Sequence, residues 1–416
     1  MLDTPTALDA QVPTLSLADQ ARDPDGFAKA FGESFERFGF AIVADHGIPQ
    51  DLIDRAWSET EALFALPEAE KRDYFVAGGG GARGYTPFKT EIAKDAKHVD
   101  LKEFWHIGRN LPEGHRYADS MAPNIWPARP EGFKDTFLEL FTAFDRAGDK
   151  LLSAIARHLA LAPDWFDPAV KDGNSVLRLL HYPPIPADAE GVRAGAHEDI
   201  NLITLLLGAE EAGLELLDKN TGDWLAIKPP EGAMVVNVGD MLQRLTNHVL
   251  PSTTHRVVNP PVERRGHSRY SMPFFLHPAP DFLIETLPQT ITADRPNRYP
   301  TPITAHDYLH ERLVEIGLIK KCSRKGWPHP PRHPGLDPGS RFSPRPNRSG
   351  TPALGSGRRV KANGLPALNR TRSPGTASRS RSASPRPSPS PIPRSSSAYC
   401  AAAGWSRDRC RPARRR

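Results

Sequence analysis

Seven short strand-like segments between Ser175 and Leu276 constrain the fold of this chain most strongly. Turn sequences such as Lys219–Gly222 and Pro229–Gly232 separate several of them. Many short strands at close spacing favour a sandwich or a barrel, and we predict a double-stranded β-helix, or jelly roll, as the core. The predicted strands are residues 175–182, 196–207, 214–218, 224–227, 234–238, 254–258 and 270–276.

Helical periodicity dominates the sequence on either side of this region. Residues 25–38 place four phenylalanines three or four positions apart, residues 131–161 carry one long apolar stripe, and residues 305–317 predict a closing helix. Short strands are expected at residues 13–17, 40–43 and 100–108, with a further helix at 51–64. The predicted fold class is therefore mainly β with flanking helices and a helical N-terminal region.

Charge and composition change abruptly after residue 320. Residues 321–416 hold 22 of the 54 Lys and Arg residues and two of the 49 acidic residues, so this tail carries about +20 and the body about −15. Its Pro-, Ser- and Arg-rich sequence predicts disorder. Two interpretations are open. The tail is a basic arm that binds RNA or acidic partners, or it is an accidental extension of the chain. The second is favoured because the segment Arg332–Phe342 resembles a translated bacterial repeat element.

The body of the chain lacks the sequence features of several protein classes. The cysteines, Cys322, Cys400 and Cys410, all lie in the tail, which excludes a disulfide framework or a Cys-ligated zinc from the body. No apolar run has the length of a membrane span, and the start does not resemble a signal peptide. We expect a cytoplasmic protein without a membrane partner, with nucleic-acid binding unlikely outside the basic tail.

Two imidazoles and a carboxylate stand out as a possible metal site. His197 and Asp199 are two positions apart, and His255 follows in a β-branched segment. On one continuous strand, residues i and i+2 point to the same side, so Glu198 would point away. Two His and one carboxylate are the ligand set that binds Fe(II) on one face and leaves the other open for substrate and O2.

A possible carboxylate receptor follows the second histidine. Arg269 and Ser271 are two positions apart in a predicted strand, so they share a face. A guanidinium fork beside a hydroxyl is well suited to binding a carboxylate.

At these motifs the chain resembles the iron- and 2-oxoglutarate-dependent dioxygenases of the isopenicillin N synthase-like type. The resemblance covers roughly residues 10–318. It is carried, in order along the chain, by Arg37–Ile48, Arg178–Pro184, Gly232–Arg244, His255–Pro260 and Arg269–Phe275.

The resemblance implies specific roles. His197, Asp199 and His255 would bind Fe(II); Arg269 and Ser271 would bind 2-oxoglutarate, with Tyr182 beside it. It implies oxidation of a C–H bond of a small organic substrate by O2, as hydroxylation, desaturation or cyclisation, with release of succinate and CO2. It also implies an N-terminal non-haem dioxygenase domain at 1–120, a helical segment at 121–174 and a jelly-roll oxygenase domain at 175–320. The composition of the chain adds the basic tail at 321–416.

Alternatives to these assignments are open at the level of the sequence. His248 competes with His255 as the distal ligand but lies in a turn-like context. His181 is interpreted as structural, His106 as an ordinary strand residue and His277 as lying beyond the site. Some relatives oxidise their substrate without 2-oxoglutarate, and a non-catalytic jelly-roll binding protein with a nucleic-acid-binding tail is a third interpretation. We expect a monomer or a weak homodimer.

Overall fold

The computed structural model describes residues 11–77, 79, 81–91, 99–186, 189–208 and 212–316. The predicted disordered tail at 321–416 lies outside these residues. The helices are α1 (Pro24–Phe38), α2 (Gln50–Phe64), α3 (Glu68–Arg72), α4 (Phe133–His158), α5 (Asp167–Val170), α6 (Asp240–Leu245) and α7 (Ala305–Glu315). The strands are β1 (Thr14–Ser16), β2 (Phe40–Ala44), β3 (Gly84–Thr86), β4 (Glu103–Gly108), β5 (Val176–Tyr182), β6 (Ala194–His197), β7 (Ile203–Leu207), β8 (Leu214–Leu217), β9 (Trp224–Ala226), β10 (Met234–Val238), β11 (His255–Val257), β12 (Arg269–Leu276), β13 (Leu283–Ile284) and β14 (Ile303–Thr304).

The strands form two main sheets that pack face to face. The larger has the order β1-β2-β10-β7-β12-β5-β4-β3, and the smaller has the order β6-β11-β8-β9. Apolar side chains from both sheets meet in one buried cluster, including Phe104, Leu180 and Val235 from the larger sheet and Leu216 and Val257 from the smaller. Two facing, mostly antiparallel sheets give the jelly-roll core that the strand pattern predicted.

The opposite face of the larger sheet is covered by helices. Alternate residues of the strands, among them Trp105, Leu179 and Phe274, point to this side and join the main apolar core. The long helix α4 lies against them, and its Phe144 ring stacks on Phe274 with 5.1 Å between the ring centroids. The helices hold one face of the sheet rigid and leave the other face to the site.

Helix α1 shows how local sequence sets the bounds of an element. The Asp23 side chain accepts a hydrogen bond of 2.9 Å from the backbone N–H of Gly26, and Pro24 occupies the first helical position. The helix ends at Gly39, whose φ of 68° is left-handed and favours glycine. The predicted phenylalanine stripe is buried against α4 and the sheet.

One predicted strand was wrong. Residues 196–207 form two strands instead of one, because β6 belongs to the smaller sheet and β7 to the larger. Residues 198–202 cross between the sheets. Backbone bonds hold the crossing: the N–H of Asp240 donates to the carbonyl of Asp199 at 2.7 Å, and the N–H of Leu202 donates to the carbonyl of Leu276 at 3.0 Å. Asp199 therefore lies in a turn and not on the strand of His197.

None of the helices in the described part of the chain has the length and hydropathy of a membrane-spanning segment. The described residues all belong to one compact unit. The domain boundaries at residues 120, 174 and 320 stay predictions.

Candidate active site

The three predicted metal ligands converge although the chain separates them widely. His255 begins β11 and pairs directly with His197 at the end of β6, and their ring centroids are 4.4 Å apart. The turn after β6 brings Asp199 to the same point, with its Oδ2 4.0 Å from Nε2 of His255. One ligand atom from each of the three residues lies within 4.8 Å of the others.

Backbone carbonyls orient both imidazoles. Nδ1 of His197 lies 2.7 Å from the carbonyl oxygen of Gly195, and Nδ1 of His255 lies 3.1 Å from that of Thr253. A carbonyl can only accept, so each Nδ1 carries the proton and donates it. Each Nε2 is then left with its lone pair, the form in which imidazole binds a metal. Phe40 packs edge-on against the His255 ring, at 5.5 Å between centroids.

Two neighbours on the larger sheet fix the carboxylate. Oδ2 of Asp199 accepts hydrogen bonds from Oγ1 of Thr204 at 2.5 Å and from Nδ2 of Asn237 at 2.8 Å. Nδ2 of Asn201 in turn donates to Oγ1 of Thr204 at 2.8 Å, which directs the hydroxyl proton towards Asp199. No sequence pattern predicted these neighbours, since only the pairing of β7 with β10 brings Thr204 and Asn237 side by side.

The electrostatics of the three ligands suit a divalent cation. Burial, and then the neighbouring His255, lowers the pKa of His197 to about 4. Burial by itself raises the pKa of Asp199, but the two histidines and the hydrogen bonds outweigh it, so that pKa lies below its ordinary value. At neutral pH the cluster offers a neutral His197 imidazole and an ionised carboxylate, and this donor set fits ferrous iron.

The predicted carboxylate receptor lies on the inner face of the larger sheet. Arg269 at the start of β12 pairs with Tyr182 at the end of β5, and its guanidinium carbon is 5.0 Å from the centroid of the Tyr182 ring. NH1 of Arg269 donates to Oγ of Ser271 at 3.4 Å. All three side chains are buried. A buried guanidinium beside a hydroxyl and an aromatic ring fits a carboxylate ligand.

A buried charged cluster borders the same inner face. Nζ of Lys102 lies 2.8 Å from the carboxylates of both Glu91 and Asp100. Nε of Arg178 donates to Nε2 of His106 at 2.5 Å, and Nδ1 of His106 donates to the carbonyl of Gly81 at 2.6 Å. Both ring nitrogens of His106 are thus engaged within the protein, and the residue lies in strand β4 as expected.

The cluster also supports β6. Oδ1 of Asp100 accepts a hydrogen bond of 2.9 Å from the backbone N–H of Gly195, two residues before the ligand His197. No motif in the sequence indicates this connection.

Two other histidines make contacts away from the three candidate metal ligands. Nε2 of His248 is 2.6 Å from the hydroxyl of Tyr299. His181 points to the opposite side of β5 from Tyr182, and its Nδ1 lies 2.7 Å from Glu103. Glu198 is exposed and accepts a hydrogen bond from Thr254 at 2.9 Å, so it also points away.

Comparisons with known proteins decide the family. Residues 12–129 match the family described as the N-terminal region of the non-haem dioxygenase in morphine synthesis, and residues 173–278 match the 2OG-Fe(II) oxygenase superfamily. A 2-oxoglutarate-Fe(II) type oxidoreductase, hxnY, of Emericella nidulans is 35% identical over 300 residues, which span 68% of this chain and 84% of that protein. The chain belongs to the 2OG-Fe(II) oxygenase superfamily. This oxygenase is an iron- and 2-oxoglutarate-dependent enzyme that uses O2.

Other relatives and solved structures agree with this family. Kihadalactone A synthase LFS of Citrus sinensis is 33% identical to the oxygenase over 332 residues, covering 76% of this chain and 97% of that protein. A putative 2OG-Fe(II) oxygenase family protein from Caulobacter crescentus is 57% identical, with a TM-score of 0.69, and covers 74% of this chain and 99% of its own. A full-length Neurospora crassa protein solved in complex with alpha-KG is 30% identical, with a TM-score of 0.65, and covers 73% and 95%.

Proposed function

We propose that His197, Asp199 and His255 hold the ferrous ion and that Arg269, Ser271 and Tyr182 hold 2-oxoglutarate. The observation that carries this proposal is the direct pairing of His255 with His197, which brings the ligand atoms of the three residues within 4.8 Å. Bound iron, together with 2-oxoglutarate and O2, supplies an oxidant for an unactivated C–H bond, with succinate and CO2 as co-products.

The residues of the chain bind, orient and shield the reacting groups. Thr204 and Asn237 fix the carboxylate of Asp199, and the carbonyls of Gly195 and Thr253 fix the two imidazoles. Arg269 orients the 2-oxo acid by a charge-assisted hydrogen-bond pair. Packed apolar side chains between the two sheets exclude water from the site.

The substrate is a small organic molecule, as in the rest of the family. The names of the relatives differ widely, from kihadalactone A synthase to the proline hydroxylase buaE of Petromyces alliaceus, so they support this class and no single compound. We propose hydroxylation, desaturation or cyclisation of such a molecule as the outcome.

Anaerobic titration tests the two binding assignments together. Adding 2-oxoglutarate to the purified protein with Fe(II) is expected to produce a visible absorption band. Such a band arises from charge transfer between the ferrous ion and a 2-oxo acid that chelates it. Admission of O2 with a substrate should then release one succinate for each O2 consumed. Substrate oxidation without succinate would instead favour the 2-oxoglutarate-independent oxidase.

The hydrogen bond from Thr204 to Asp199 gives a more specific prediction. Thr204→Val keeps the shape of the side chain but removes the hydrogen-bond donor to Asp199. The Fe(II) affinity should therefore fall about 10- to 100-fold, the usual effect of removing a residue that hydrogen-bonds to a metal ligand. Fluorescence or calorimetric titration with Fe(II) measures it. Thr60→Val is the matched control, since the Thr60 hydroxyl is buried in α2 and donates to the carbonyl of Ala56. Equal affinities in the two variants would contradict the role of Thr204.

We also propose that the enzyme is cytoplasmic, that it is a monomer or weak homodimer, and that its body does not bind nucleic acid. The negative net charge of residues 1–320 supports the absence of nucleic-acid binding by the body. Any RNA affinity of the full chain should therefore be lost on deletion of residues 321–416, while Fe(II) and 2-oxoglutarate affinities are unchanged. An electrophoretic mobility shift assay measures the RNA affinity, and anaerobic titration measures the Fe(II) and 2-oxoglutarate affinities. Loss of iron binding on deletion would show that the tail contributes to the site.

A further inference from the structure

Arg193, just before β6, is a buried cation with an incomplete set of partners. Its side chain is 0% exposed. NH2 donates to the backbone carbonyl of His267 at 3.1 Å, whereas Nε and NH1 make no hydrogen bond. In the described part of the chain, no acidic side chain forms an ion pair with it. Arginine is rarely buried unless it is paired, so this arrangement needs an explanation.

The position of Arg193 brings its charge to the proposed 2-oxoglutarate site. Its backbone N–H donates to Oδ1 of Asn259, just beyond β11 of the smaller sheet, at 3.0 Å. The bond from its guanidinium to the carbonyl of His267 reaches the loop that leads into β12 of the larger sheet, two residues before Arg269. Arg193 therefore links the start of β6 to the loop before β12, which leads directly to Arg269 and its strand partner Tyr182.

The electrostatic surroundings agree with that position. Burial, and then the charge of Arg269, lowers the pKa of Arg193 to about 10, and Tyr182 opposes this shift. Two buried guanidinium groups thus lie close enough for the charge of Arg269 to lower the pKa of Arg193. Such an arrangement costs free energy until an anion binds.

We propose that Arg193 is a second cationic binding residue for the distal carboxylate of 2-oxoglutarate, acting beside Arg269. This inference rests on the assignment of Arg269 to that carboxylate. A carboxylate has about four acceptor positions, so it can accept from more than one guanidinium. The distal carboxylate would supply the negative charge that no acidic side chain among the described residues provides to Arg193.

The proposal predicts selectivity between two 2-oxo acids of equal length. 2-Oxoglutarate and 2-oxopentanoate share the end that chelates the metal, but only 2-oxoglutarate has a distal carboxylate. Arg193 should contribute to the affinity for the first and not for the second. Its loss should therefore reduce the preference of the enzyme for the dianion.

Anaerobic titration of the full-length Fe(II) protein with each acid tests this, with the charge-transfer absorption as the readout. Arg193→Met should lower the 2-oxoglutarate affinity about 10- to 100-fold, the range for a lost hydrogen bond to a charged group. The 2-oxopentanoate affinity should be unchanged. Arg193→Lys keeps the charge and should recover part of the loss. Thermal unfolding without metal gives a second readout: 2-oxoglutarate should raise the unfolding temperature of the wild type more than that of Arg193→Met.

Arg83→Met is the matched control. Arg83 is also buried, and its NH2 also has no hydrogen-bond partner, but burial alone accounts for its lowered pKa, with no contribution from Arg269. Its 2-oxoglutarate affinity should equal that of the wild type.

Three outcomes would overturn the proposal: an unchanged 2-oxoglutarate affinity in Arg193→Met, an equal loss for both acids, or the same loss in Arg83→Met. If Arg193→Met does not fold, Arg193→Lys decides, because the proposal requires a loss of affinity for 2-oxoglutarate alone. A wild-type protein that gives no charge-transfer band at all would contradict the proposed function instead. A band that weakens in Arg269→Lys but not in Arg193→Met would contradict only this inference.

Discussion

Asp199→Ala is expected to abolish the iron-dependent decarboxylation of 2-oxoglutarate. The substitution removes the single anionic ligand of the proposed cluster and leaves two imidazoles to hold a divalent cation. Loss of a residue that hydrogen-bonds to a metal ligand typically lowers metal affinity or activity by about 10- to 100-fold, so loss of a ligand itself should lower the activity by more than about 100-fold. Succinate or CO2 release in the presence of Fe(II), O2 and 2-oxoglutarate measures it.

The chain provides a matched control one residue away. Glu198 is an acid of similar charge, but it is exposed and accepts its hydrogen bond from Thr254, outside the cluster. Glu198→Ala should therefore keep the decarboxylation activity of the wild type. Retained activity in Asp199→Ala would argue strongly against Asp199 as the ligand. Equal losses in the two variants would show that the acidity of the segment, and not one ligand, matters.

Arg269→Lys is expected to weaken 2-oxoglutarate binding by about 10- to 100-fold while Fe(II) still binds. Lysine keeps the positive charge but loses the planar fork that pairs with both carboxylate oxygens. It also loses the contact of the guanidinium with the Tyr182 ring. Titration with 2-oxoglutarate under nitrogen, followed by the charge-transfer absorption, gives the affinity, and metal analysis gives the iron content.

Arg256→Lys controls for the loss of a strand arginine near the site. Arg256 follows the ligand His255 on β11 but points away, with NH2 2.8 Å from Glu215 and its guanidinium carbon 3.8 Å from the centroid of the Trp224 ring. Its 2-oxoglutarate affinity should match that of the wild type. If Arg269→Lys bound 2-oxoglutarate as tightly as Arg256→Lys, the carboxylate would have to bind elsewhere.

Much of the local structure follows from residue periodicity. The phenylalanines of α1 repeat at three or four positions and are buried, and the alternation of β12 places Arg269 and Ser271 on one buried face. A repeat of this kind is written into neighbouring residues, so it can be read without the tertiary structure. The strand predicted at 196–207 was wrong because local periodicity does not show where a strand is interrupted by contacts with distant residues. The neighbouring residues read as strand on both sides of residues 198–202, and the bonds that turn the chain there involve Asp240 and Leu276, far along the sequence.

Some residues of the candidate site can be recognised in the sequence, and others only in the tertiary structure. His197, Asp199, His255 and Arg269 have spacings and flanking sequences that suggest their chemistry. Thr204 and Asn237 are ordinary strand residues in the sequence, and they matter only because β7 pairs with β10 beside the crossing turn. Arg193 likewise has no motif that distinguishes it, and only its burial and missing partners single it out.

The sequence by itself determined which side chains are candidates for the chemistry and most of the short elements that hold them, because residue type and local periodicity act over a few neighbouring positions. The tertiary structure alone decided that His197 and His255, 58 positions apart, lie opposite each other, and that a turn, not a strand, presents Asp199. It also decided which polar groups orient the ligands. The physical reason is that pairing and packing of distant strands depend on the burial of whole sheet faces, which no single segment encodes.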